Sequence, residues 1–340
     1  MARVLVVGAG LTGGLCAALL LRLRGRMRVA VWEAARGPGG RMNTSRDPHD
    51  SNCTADLGAQ YITATPYFAE KHQSFYEELV SRGVLKPLLG SVEGITIKDE
   101  GICNYVAPRG ISSIVKYYLS DSDVLYNRHV TRINLKEGKL EVCCDSGPAE
   151  MFDAVVLTMP VPQMLKLQGD MKTLISESQR QRLEAVRFSS RFALALFYEA
   201  GTRIDEPWAA KYIVDNPCIR FISIDSKKRS SESPEVGPSV VVHTTVQFGA
   251  ENVDKEKGDV EPLILEQLQK VLPALPKPTS IKCHKWRFSQ VTEAVSSEPG
   301  QMTLSIQPLL VVGGDSFTHS NFDGCVESAL AVLNVFKCHF

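Results

Sequence analysis

Apolar residues run unbroken from Val4 to Val7, pause at a cluster of glycines, and resume from Leu15 to Leu21. Four consecutive apolar positions predict a strand buried on both faces, as in a parallel sheet. The whole run 4–21 is uncharged and lies near the ~18-residue threshold for a membrane span. It also resembles the apolar part of a signal peptide. Gly8, Gly10, Gly13 and Gly14 fall where a strand would turn into a helix, and only Arg3 precedes the run. The pattern therefore predicts strand, turn and helix, with no membrane span. Residues 29–32 predict a second strand, residues 141–142 and 154–157 further ones. Helical spacing covers 75–83 and 176–186, and residues 90–102 alternate as strands do. Residues 192–198, 218–224 and 240–246 predict a second sheet. Pro262 opens a helix through Val271 that the segment LPALPKP stops. Residues 309–312 predict a last strand, and helical spacing follows from Cys325 to Val335. The polar stretches 226–238 and 249–258 read as solvent-exposed loops.

Composition narrows the class. The chain has 340 residues, 44% of them hydrophobic and 22% charged, which excludes wholesale disorder and suggests two domains or one large discontinuous one. Lys and Arg number 38 against 38 Asp and Glu, so there is no electrostatic footprint for nucleic acid. Nine cysteines, an odd count without any CxxC pair, fit reduced buried thiols better than a disulfide scaffold or a zinc site. No metal is expected. A serine elbow, a zinc-protease motif and a phosphate-binding P-loop are all absent.

The first turn carries the chemistry. In Gly8-Ala9-Gly10-Leu11-Thr12-Gly13 the first glycine permits a tight turn and the second lets a phosphate approach the backbone. The third lets helix and strand pack, and the helix N-terminus then offers N–H groups to a pyrophosphate. Glu33 ends the second strand about 20 residues on, the spacing of an acid that binds a ribose. Gly37-Pro38-Gly39-Gly40-Arg41 adds glycines for close approach and a guanidinium for phosphate oxygens. Asp56-Leu57-Gly58-Ala59-Gln60-Tyr61 makes an acid–Gly–Ala turn. Near the far end, a strand runs into Gly313-Gly314-Asp315, and Asn321-Phe322-Asp323-Gly324 precedes the final helix. Two strand–glycine–acid–helix units at opposite ends of the chain suggest that both ends meet around one long dinucleotide.

GAGLTG, WE, GGRM, DLGAQY, GGDSF and FDGCVESAL together resemble the glutathione-reductase-type flavoproteins of the amine-oxidase branch. CTADLGAQYIT, QRLEAV, NPCIRF, KWRFSQVT, PGQMTL and SNFDGC resemble the renalase family within it, over nearly the whole chain. The resemblance implies an α/β fold: a Rossmann-type FAD-binding domain with an inserted mixed-sheet substrate domain, as in p-hydroxybenzoate hydroxylase and the amine oxidases. The expected boundaries are 1–75, 110–170 and 295–340 for the FAD domain and 76–109 and 171–294 for the substrate domain. It also implies noncovalent FAD. Gly8, Gly10, Thr12 and Gly13 would hold its pyrophosphate, Glu33 the adenosine ribose, and Gly40 and Arg41 the diphosphate–ribityl stretch. Val130 would bind adenine through its backbone. Asp315 would meet the ribityl–pyrophosphate region, Gln60 and Tyr61 the flavin, and Gly324, Cys325 and Val326 the pyrimidine end of its ring.

By the same resemblance the substrate is a dihydronicotinamide dinucleotide hydrided at the wrong carbon, 2-dihydro- or 6-dihydro-NAD(P), oxidised to β-NAD(P)+ with molecular oxygen giving hydrogen peroxide. An amine oxidase on the same fold is the first alternative. A secreted signalling protein with a cell-surface receptor is the second, with the basic stretch SKKRSS (226–231) as its epitope. The family is described as secreted, whereas the thin n-region and unpaired cysteines read as cytoplasmic. His243 either lines the pocket or is a satisfied core histidine, and Tyr61 meets the ring or packs beneath it; these two are the catalytic candidates. Trp286 reads as a core aromatic, and His319 as either a site or a loop residue.

Overall fold

The computed structural model describes residues 1–23, 27–95, 100–295 and 300–340. The chain divides into two compact units, Met1–Gly40 with Val115–Phe188 and Gln290–Phe340, and Arg41–Ile114 with Ser189–Ser289. Residues 41–75, grouped in the sequence reading with the nucleotide-binding segments, thus cluster with the second unit. The reason is local bonding: the Asp56 N–H donates to Asp225 Oδ2 (2.7 Å) and Ser239 Oγ to the Thr54 carbonyl (2.7 Å). Residues 171–188 fall in the first unit, where Gln179 Nε2 donates to the Thr303 carbonyl (2.9 Å).

The first unit is built on β1 (Ala2–Val7), α1 (Leu11–Leu21), β2 (Met27–Trp32), β3 (Asp123–Leu125), β4 (Ala154–Leu157), β5 (Gln301–Ser305), β6 (Leu309–Gly313) and α2 (Phe322–His339). The sheet order is β5-β6-β4-β1-β2-β3, parallel except for β5. Val7 lies beside both Trp32 and Leu157, and Leu157 beside Val312. The carboxyl ends of strands from opposite ends of the chain are therefore level. Connections leave β1 towards β2 on one side while β4 lies on the other, the switch point at which such sheets bind ligands. Val4, Leu5 and Val6 are wholly buried, and α1 and α2 pack together. The uncharged run 4–21 is accordingly strand, turn and helix. Among the described residues no helix is long and apolar enough to cross a membrane.

The second unit holds a mixed sheet in the order Ser280–Trp286, Arg191–Phe197, Ser239–Thr244, Ile219–Ile224, Ala210–Tyr212 and Val92–Glu93. All pairs are antiparallel except the last. One row crosses it: Tyr212, Phe221, His243, Ala193 and His284 stand opposite one another in turn. Directly opposed residues share a face. The other face carries Leu194, Val242 and Ile222, which join Val260, Ile264 and Leu268 of the helix Lys257–Val271 in one core cluster.

Three expectations are corrected. That helix begins at Lys257, and Pro262 lies inside it instead of opening it. Val246–Asn252 is helical where the second sheet was expected to end and a polar loop to begin, because the Thr245 hydroxyl caps it by accepting the Phe248 N–H (3.1 Å). The stretch 226–231 is not an exposed epitope. Asp225–Lys228 is a helical turn, and Lys228 and Arg229 are buried against acids. Of the alternating stretch 90–102, Val92–Glu93 is a strand and residues 96–99 lie outside the described residues.

Candidate functional site: a dinucleotide cradle and a polar sheet face

In the first unit the strand β1 ends at Val7, and the Gly8 N–H donates to the Trp32 carbonyl (2.8 Å). Gly8 has φ +109°, and a Cβ on Gly13 would lie 1.9 Å from the Gly8 oxygen, so only glycine closes this turn. Gly10 is different. A Cβ there would meet nothing within 4 Å, which leaves open space where a phosphate would approach. Gly10 is also the N-cap of α1 and supplies no side chain to it, so the helix end is left for an anion. Thr12 is buried in that first turn. These features fit a dinucleotide pyrophosphate.

Glu33, Gly39 and Thr158 bond to the same turn. Glu33 accepts the Ala9 N–H on Oε2 (2.7 Å) and the Ala35 N–H on Oε1 (2.8 Å), keeping further lone pairs for hydroxyls. The Gly39 N–H donates to the Ala9 carbonyl (2.8 Å), which lays Gly40 beside Gly10. Thr158, which no motif in the sequence singles out, hydrogen-bonds the Val7 carbonyl through its N–H and its hydroxyl (both 2.9 Å). Val130 begins a strand whose ladder shifts register between Val130 and Arg132, an irregularity that disrupts main-chain pairing. From the other end of the chain, Asp315 is buried and accepts from the Ser320 hydroxyl. The Gly324 N–H donates to Asn321 Oδ1 (2.7 Å), the N-cap of α2. Cys325 and buried Val326 follow in the first turn, Cys325 near Cys16 of α1. His319 Nδ1 lies 4.0 Å from Glu327, a weak pairing.

In the second unit, Gln60 is saturated. Its Oε1 accepts from Ser223 (2.8 Å) and Lys228 (2.9 Å), while Nε2 donates to the carbonyls of Gly58 (2.9 Å) and Asp56. Its side chain therefore holds the loop 56–61. Beneath it Lys228 bonds Asp225 (2.6 Å), and Arg229 bonds both Asp225 (2.8 Å) and Asp56 (2.7 Å). The two cations hold the Asp56 carboxyl below its usual range against the opposing effect of burial. Tyr61 shares a hydrogen bond with Tyr212 (2.6 Å), and burial followed by that bond raises its pKa. His243 donates Nε2–H to the Leu57 carbonyl (3.1 Å). Burial first and Arg191 second push its pKa down to about 4, so the ring is neutral at pH 7 with Nδ1 as an acceptor. Arg41 donates Nη1 to the Ser289 carbonyl (3.3 Å). Among the described residues no cluster could hold a metal ion, and no disulfide joins any of the nine cysteines.

A Rossmann-type cradle, with a separate mixed sheet bearing the polar residues, defines the class as a dinucleotide-binding protein, and the comparisons make it a flavoprotein oxidoreductase. Residues 6–79 match the NAD(P)-binding Rossmann-like domain, and residues 89–332 match the flavin containing amine oxidoreductases. The chain is 55% identical over 340 residues to renalase of Mus musculus, covering 99% of each. The same fold occurs in a protein of Exiguobacterium sp. 255-15 solved under a provisional protoporphyrinogen oxidase description (TM-score 0.74, 12% identity, 100% of this chain and 99% of that one). It occurs too in wild-type putrescine oxidase bound to putrescine (TM-score 0.69, 13% identity, 99% of each). The chain therefore belongs to the flavin containing amine oxidoreductase family and, within it, to the renalases. It is an FAD-dependent oxidoreductase acting on a small molecule.

Proposed function

We propose that the chain oxidises 2-dihydro- and 6-dihydro-NAD(P), dinucleotides hydrided at the wrong ring carbon, to β-NAD(P)+ with dioxygen as final acceptor. The observation that supports this is His243. Its Nε2–H is committed to Leu57, so a neutral Nδ1 acceptor is held on the sheet face beside Tyr212 and Phe221. That acceptor suits the N–H of a nicotinamide carboxamide and can orient the ring. When bound, FAD supplies the hydride acceptor and returns the electrons to oxygen as hydrogen peroxide.

In this reading Gly8, Gly10, Thr12 and Gly13 hold the pyrophosphate, Glu33 the ribose, Gly40 and Arg41 the diphosphate–ribityl stretch, and Val130 the adenine. Asp315 meets the ribityl chain, and Gly324, Cys325 and Val326 the pyrimidine end of the flavin. Tyr61 contributes to the ring's surroundings through its hydroxyl pair with Tyr212, while Gln60 shapes the loop. Binding is noncovalent. Cys53, Cys144, Cys218 and Cys283 are all pushed up by burial, Cys53, Cys144 and Cys283 to about 11 and Cys218 to about 12, so none of them is poised as a thiolate.

The test is anaerobic rapid mixing of the yellow holoenzyme with 6-dihydro-NAD or with a primary amine. Loss of the oxidised-flavin band near ~450 nm within seconds is expected with the dinucleotide alone. His243→Ala is expected to slow that bleaching and leave FAD bound. Bleaching by the amine and not by the dinucleotide would reverse the assignment.

A further inference from the structure

We infer that Arg191 and Arg220 form an anion subsite that grips a phosphate group of the substrate. The inference rests on the dinucleotide reading above and extends it from the ring to the rest of the molecule. Arg220 owes its direction to a bulge. Ile219 stands opposite Thr244 and Phe221 opposite His243, so Arg220 is the extra residue on its strand. Such a bulge re-aims a side chain. Its guanidinium carbon lies 5.4 Å from the centre of the Tyr212 ring, which in turn meets the Phe221 ring at 4.9 Å. Arg220 is thereby brought to the Tyr212–Phe221–His243 face.

Arg191 reaches the same face by ordinary alternation. It stands two residues before Ala193, the cross-strand partner of His243. It is half-buried, and its Nη1 donates to the Thr244 carbonyl (2.9 Å). Neither arginine forms an ion pair with an acid among the described residues. Of the buried acids of this unit, Asp56 and Asp225 are already matched to Lys228 and Arg229, and Asp47 accepts from the Ser280 hydroxyl (2.8 Å). Burial first, and the charge of Arg220 second, lower the pKa of Arg191. Two guanidiniums on one sheet face without a carboxylate partner are relieved by an anion, and their forked donors match phosphate oxygens. The same pair would repel an ammonium substrate.

The test uses the FAD-loaded enzyme, in which the cofactor's own diphosphate site is filled, with inorganic pyrophosphate as the probe. Calorimetry is expected to show salt-sensitive binding that weakens about tenfold or more in Arg220→Gln and again in Arg191→Gln. Because Arg220 is exposed, its variant keeps the fold and carries the test alone if Arg191→Gln does not. No binding by the wild type, or equal binding by Arg220→Gln, overturns the subsite. A second arm compares 6-dihydro-NAD with 6-dihydronicotinamide riboside, which has no phosphate. Arg220→Gln is expected to raise KM for the dinucleotide about tenfold and leave the riboside unchanged; equal losses on both overturn the subsite. If neither compound reduces the wild-type flavin, the substrate reading fails, and pyrophosphate binding still decides the subsite.

Discussion

Trp286 and His243 donate to one acceptor: the indole Nε1 lies 2.8 Å and the imidazole Nε2 3.1 Å from the Leu57 carbonyl oxygen. Two strands of the second unit's sheet thus hold the loop that bears Gln60 and Tyr61. Trp286→Phe keeps the ring and removes one donor, leaving His243 in place. The expected loss is about 1 kcal/mol of stability, the worth of one neutral hydrogen bond, read from urea unfolding.

The two lowered histidines make the fold sensitive to mild acid. Burial is the first cause for both His243 and His284, each pushed down to about 4, followed by Arg191 for the former and by Lys257 and Lys282 for the latter. Both rings are neutral when folded, while an unfolded chain takes up the protons near pH ~6.5. Between about 6.5 and 4 the unfolded state binds more protons, so stability falls as pH falls through that window. Urea midpoints at pH 7.5 and 5 are expected to differ in the wild type and to converge in His243→Gln combined with His284→Gln.

Lys228→Met removes the cation between Gln60 and Asp225 while keeping most of the side-chain volume. It leaves Asp225 and Asp56 to Arg229 alone and strands one lone pair of Gln60. Breaking a buried pair in this way costs about 3–5 kcal/mol. Adding Asp225→Asn should recover part of that loss, and denaturation of the single and double variants measures both. Equal stability of the two variants would show that the charge on Asp225 is not what Lys228 balances.

Gly10→Ala and Gly13→Ala separate cofactor binding from folding. At Gly13 a methyl group would collide with the Gly8 oxygen, so the variant is expected to lose both flavin and stability. At Gly10 it meets no protein atom within 4 Å. That variant should fold with an unchanged melting temperature as apoprotein, yet bind FAD at least about tenfold more weakly. The ratio of flavin to protein absorbance after purification reads the difference.

What was legible in the sequence was local. The turn from β1 into α1 is announced by three glycines at set spacing, and Glu33 by its distance from them. The last strand and helix were legible by the same logic, and the pairing of Val7 with Leu157 and of Leu157 with Val312 brings them to the first turn. Lys228 and Arg229 were not legible. A polar stretch reads as a loop unless a distant acid draws it inside, and Asp56 lies far away in the chain. The nearer signal was Asp225, three and four residues ahead of the two cations, the spacing of helical ion pairs. The turn of Arg220 onto the His243 face depends on strand register, which no pattern of residue types reveals. The cap at Thr245 was readable, since a threonine just past an apolar run is a common helix start.

Interleaving of the two units has a consequence for biosynthesis. While the chain emerges from the ribosome, β4 has no neighbour on its outer side and α1 lacks its packing against α2 until residues 309–339 appear. The intervening second unit consists largely of a contiguous stretch, Ser189–Ser289, that is complete before them. An open parallel edge waiting on distant residues is slow to close and prone to mispairing. On the proposed reading early supply of the dinucleotide cannot shorten that wait, because the part of its cradle around Asp315 and Gly324 is translated last.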